Sequence, residues 1–121
     1  MADQVVHTIV TNVGIFTNAL MPLWKVPAGF GGVTIISSQV MMYTAGTAQL
    51  YLVDGGAAGT TTNGGTLASS GGTAHTAKTP IAMTVTSTPY LAEGSYLTLK
   101  ENNVGSTVTI TQVAITYKWG K

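Results

Sequence analysis

The sequence predicts an all-β domain: an antiparallel β-sandwich of about seven or eight strands, jelly-roll-like in order. Three observations carry that expectation. Helix formers are sparse while Thr, Val, Ile and Gly abound, and β-branched side chains suit the pleated, half-buried surface of a sheet. Apolar residues recur with a period of two, as where Ile81, Met83 and Val85 alternate with Ala82, Thr84 and Thr86, which marks a half-buried strand. Cysteine is absent, which removes the inter-sheet disulfide that would favour an immunoglobulin-like sandwich.

Taken in chain order, Val5 to Val10 reads as a first short strand, with residues 1–12 as an N-terminal strand or arm and 13–121 as a single sandwich domain. Val13 to Phe16 and Leu20 to Val26 supply two more segments. Pro22 and Pro27 lack a ladder donor, so the Leu20 segment is expected at a sheet edge or as an extended arm. Val33 and Ile35 then give way to Ile36, Val40 and Met42. That is a change of phase along one strand. Gln49 to Val53 is apolar on both faces, as a central strand, or one capped by a neighbouring subunit, requires.

Residues 55–77, GGAAGTTTNGGTLASSGGTAHTA, read as a long exposed loop with at most a short hairpin around Thr66 to Ala68. Its glycines lose entropy on ordering, and its Thr and Ser hydroxyls satisfy backbone groups locally but bury little. Ser95 to Lys100 places Leu97 and Leu99 on one face, and Asn102-Asn103-Val104-Gly105 predicts a hairpin into the final strand. That strand starts with Val108 and Ile110 and continues with Val113, Ile115, Tyr117 and Trp119. The parity reverses, so a bulge or bend is expected near Thr111-Gln112, where a strand can pass between sheets.

Composition limits the partners. Charged residues make up 7% of the chain against 45% hydrophobic, with a mean hydropathy of +0.32, whereas soluble domains carry about 25% charge. Such a surface keeps little repulsion against association, which predicts cover by copies of itself or by another protein. The lysines at 25, 78, 100, 118 and 121 are scattered, Arg is absent and the net charge is +1. No basic stripe for nucleic acid results. No apolar run approaches the ~18 residues that span a bilayer, and the N-terminus lacks a basic-then-apolar leader pattern. The chain reads as cytoplasmically made, with no membrane partner.

Chemistry is thinly supplied. Gly59 to Thr66 has the glycine spacing of a P-loop, but Gly65 stands where the phosphate-binding lysine belongs and no helical period follows. The inventory of histidines and acids is His7, His75, Asp3, Asp54, Glu93 and Glu101. Asp54 and Glu93 precede glycines and read as turn residues. His7 reads as a partly covered strand or interface residue and His75 as a solvated loop residue. Two isolated His do not make a zinc site. The expectation is therefore no catalytic residues, no metal, no cofactor and no enzyme. Trp24 and Trp119 read as core or interface anchors, or as a sugar-stacking pair, and Met41-Met42 as core or as an adaptable contact surface.

With strands and turns placed, the order Trp24-Lys-Val-Pro-Ala-Gly29, Tyr51-Leu-Val-Asp-Gly-Gly56, Thr79-Pro80 and LAEGSYLTLKENNVGSTVTITQVAITY becomes suggestive. Over residues 24–118 it resembles the small β-sandwich virion proteins of tailed bacteriophages, especially head decoration (cement) proteins. The resemblance implies a place on the capsid exterior, often as a homotrimer at a threefold position, with the major capsid protein as partner. It implies stabilisation of the shell by bridging coat subunits. The contact residues expected on that reading are Val5, Val6, His7, Ile9, Met41, Met42, Tyr51, Thr61, Asn63, Leu67 and His75. Two alternatives stand beside it: a tail, collar or fibre module that binds a host receptor or glycan, and a self-assembling shell subunit joined through Leu50 to Val53.

Overall fold

The computed structural model describes residues 6–12, 15–16, 20–43, 46–47, 49–59, 65–71, 74–87, 89–102 and 108–121. These contain twelve strands: β1 (Val6–Asn12), β2 (Ile15–Phe16), β3 (Leu20–Lys25), β4 (Val33–Met42), β5 (Gly46–Thr47), β6 (Gln49–Asp54), β7 (Thr66–Ser69), β8 (Ala74–His75), β9 (Ile81–Val85), β10 (Tyr90–Leu91), β11 (Tyr96–Asn102) and β12 (Val108–Trp119). Every ladder between them is antiparallel. The four two-residue strands β2, β5, β8 and β10 are peripheral, which leaves eight that build the fold.

Those eight lie in the order β1-β12-β4-β9-β7-β6-β11-β3. Numbered along the chain, they run first, eighth, third, sixth and then fifth, fourth, seventh, second. This is the interleaved order of a jelly roll, in which neighbouring strands come from distant parts of the chain. β9 joins the two halves: Ile81 to Met83 pair with β4, while Thr84 and Val85 pair with β7. The sheet curls there into two facing layers.

Between the layers Val33, Ile35, Val40, Met42, Val113 and Ile115 face Leu50, Leu52, Leu97 and Leu99, all nearly inaccessible to solvent. Full burial of one such side chain contributes about 1.5–3 kcal/mol, so this interior dominates the fold.

The expected phase changes are present. The β12 register with β4 shifts between Ile110 and Gln112, as the parity reversal at Thr111-Gln112 predicts. It shifts again opposite Ile36, which is the extra residue between Ile35↔Tyr117 and Ser37↔Thr116. Both irregularities stay within one layer; the strand that changes sheets is β9. The hairpin expected between β11 and β12 does not form, because β11 pairs with β3 and β6 while β12 lies in the opposite layer. Turn residues reverse the chain, but where the apolar faces are buried decides which strand it joins. Residues 103–107 of that connection lie outside the described residues.

The segment 55–77 also departs from a loop. Leu67 and Ala68 are buried in β7, an interior strand between β6 and β9. Two adjacent apolar residues suffice there because Leu67 is an extra residue at a register shift, between Leu52↔Ala68 and Val53↔Thr66. The turn at 55–59 folds back over β11, where the buried Thr98 hydroxyl donates to the Gly59 carbonyl at 2.9 Å. A Cβ on Gly55 would collide with Thr98 Oγ1.

Candidate interaction surface

Strand alternation in β1, β12, β4 and β9 turns one set of side chains into the core and the other onto an outer face. That face is built in rows set by register. Thr8, Thr116 and Ser37 form one row; Val10, Ala114, Gln39 and Ala82 form the next; Gln112 and Met41 follow. None of these side chains is charged. Lys118, in the row of Val6 and Thr34, is the nearest cation along β12.

The face offers hydroxyls, carboxamides and small apolar groups. Thr8 and Thr116 hydroxyls stand 3.3 Å apart across the β1–β12 ladder. A shallow depression opens beside Met41, between Gln39, Pro80, Gln112 and Ala114. Val10 is 55% exposed on this surface and Ile36 44%.

At one end the two layers are closed by rings. His7 on β1 stacks against Tyr117 at 5.3 Å, and Trp24 on β3 meets Tyr117 at 5.0 Å. Trp119 adjoins both, and Phe30, 54% exposed, stacks on Trp119 at 4.3 Å. The loop that carries Phe30 is clamped by Glu93, whose Oε2 accepts from the Gly29 and Gly31 amides at 3.0 and 2.6 Å. The Tyr90 hydroxyl donates to the Gly31 carbonyl at 2.8 Å. Burial pushes the Tyr117 phenol above its ordinary value.

The expected contact residues scatter. Val5, Thr61 and Asn63 lie outside the described residues, and Val6 and His75 are placed only by backbone, in β1 opposite Lys118 and in β8 opposite Gly46. Met41 does lie on the neutral face. Tyr51 is half-buried on β6, its hydroxyl donating to Gln49 Oε1 at 3.2 Å. His7 and Ile9 turn inward, onto Tyr117 and the core.

Met42 and Leu67 require correction, since they are 4% and 2% exposed within the chain itself. Met42 shares the parity of Val40, and Leu67 belongs to β7, so both side chains fill the interior. Thr8, Val10, Gln39, Ala82, Gln112, Ala114 and Thr116 were not singled out from sequence. The signal was present as the polar phase of strands read for their apolar one.

Among the described residues the acids Asp54, Glu93 and Glu101 serve the backbone or the interior, while Asp3 lies outside the described residues. Asp54 Oδ1 accepts from the Gly56 amide at 2.9 Å, closing the expected turn, and Glu93 does the same for the Phe30 loop. Glu101 is 3% exposed, at the parity of Leu97 and Leu99 on β11. Among the described residues no group of three or more His, Cys, Asp or Glu is placed to hold a metal. Comparison of the chain with protein-family models, with curated proteins and with solved structures finds no match.

Proposed function

We propose that this chain is a virion structural protein on the exterior of a phage capsid, where it decorates and stabilises the shell by bridging coat subunits. The observation that supports this reading is the patch of uncharged rows, from Thr8–Thr116–Ser37 to Gln112–Met41, on the outer face of β1, β12, β4 and β9 of a jelly-roll domain. A face without charges sheds its water cheaply when covered. Its Thr and Gln side chains supply hydrogen bonds, and its register-locked rows supply shape, which together give specificity where charge gives none. Binding to the assembled lattice alone stabilises that lattice by mass action.

Co-sedimentation with purified capsids tests the reading. Gln112→Glu combined with Ala82→Glu places two charges on the face without touching the core. Capsid binding is expected to be lost at unchanged melting temperature; retained binding overturns the face as the contact. In intact virions the chain should approach the coat protein in copy number.

A receptor- or glycan-binding module is the second reading, favoured by the exposed Phe30 ring stacked on Trp119. It predicts a hit on a glycan array that Phe30→Ala removes.

A further inference from the structure

The eight-strand path ends in two edges of different construction. β3 carries Pro22, Lys25 and an extra residue, Leu23, where its register with β11 shifts. Proline, lysine and a bulge are the devices that stop another strand from docking. β1 has none of them. VHTIVTN pairs with β12 in unbroken register from Val6↔Lys118 to Asn12↔Gln112. It contains no Pro, Lys, Arg, Asp or Glu.

Among the described residues no strand pairs with the outer side of β1. In an antiparallel ladder every second residue of an edge strand directs its N–H and C=O outward. Only another extended backbone matches that alternation.

A second copy of this chain fits best. Antiparallel pairing of β1 with itself is self-complementary, so one strand serves both partners. Val10, 55% exposed, and Thr8 would face the same neutral pair on the other copy, with no like charges brought together. His7 and Ile9 already pack on Tyr117 and the core, so β1 is held in place before any partner arrives. Little ordering entropy then opposes association.

We propose that β1 of one protomer pairs antiparallel with β1 of a second, extending the β1-β12-β4-β9 layer across a twofold axis into one continuous sheet. The proposal does not rest on the shell reading. It departs from the trimer that the resemblance implies, because an isologous edge closes at two copies.

Size-exclusion chromatography with light scattering on the full chain tests it, alongside Val10→Lys and Thr8→Lys, which place an edge lysine on the outer face. The wild type is expected at twice 12.4 kDa, and both variants at the single-chain mass with unchanged melting temperatures. A wild type that is monomeric or trimeric overturns the proposal, as do folded variants that remain dimeric. A monomeric wild type whose capsid binding Val10→Lys abolishes would assign the edge to a coat strand in place of a second copy.

Discussion

At Lys78 the backbone takes a φ of 57°, the left-handed region, in a residue with a Cβ. That conformation costs an L side chain about 1–2 kcal/mol. The lysine ammonium lies 5.1 Å from the Tyr43 ring, a contact that contributes about 0.5–1 kcal/mol at an exposed site. Lys78→Ala removes the contact and keeps the strain, whereas Lys78→Gly removes both. Urea unfolding should therefore find the glycine variant more stable than the alanine variant by about 1 kcal/mol.

Tyr117 makes a prediction in pH. Burial raises its phenol above 10.0, so the unfolded chain ionises first. The stability linked to this group is complete below about pH 10 and is lost as pH rises through the interval above it. Tyr117→Phe should flatten that alkaline loss in denaturant titrations across the same range.

Elements show how parity and register constrain each other. In β4 the exposed Ile36 sits between buried Ile35 and exposed Ser37, and the next residue, Ser38, is buried again. Removing Ile36 leaves Ile35 in, Ser37 out and Ser38 in, a regular alternation. Removing Gln39 instead reverses Val40 and Met42 onto the solvent face. Circular dichroism and thermal melts should show the Ile36 deletion folded and the Gln39 deletion unfolded.

β7 gives a second test. If the Gly/Thr-rich segment were an exposed loop throughout, Leu67→Ala would be nearly silent. Buried as it is, at 2% exposure, the substitution should lower stability by about 2–4 kcal/mol in urea unfolding.

For the whole molecule the interleaved order means that β1 must find β12, and β3 must find β11, before either apolar face is covered. Such non-local pairings place refolding on a millisecond-to-second scale, which stopped-flow fluorescence of Trp24 and Trp119 can read. Strand existence, the edge position of β3, the phase changes at Ile36 and Thr111, and the turn at Asp54 were legible from residues, because each depends on neighbours within a few positions. The neutral face was legible in part: the low charge is a property of the composition, and the alternation in β1 and β12 contained its rows.

By itself, then, the sequence determined an all-β domain, most of its strands and its lack of charge, since a period of two and turn chemistry are local properties of the chain. Tertiary structure alone decided that β11 and β12 separate, that β7 enters the sheet, that Met42 and Leu67 fill the core, and that β1 and β3 become unequal edges. Those outcomes follow from which apolar faces bury each other across long stretches of chain, and two leucines of equal hydrophobicity carry no local mark of which surface will cover them.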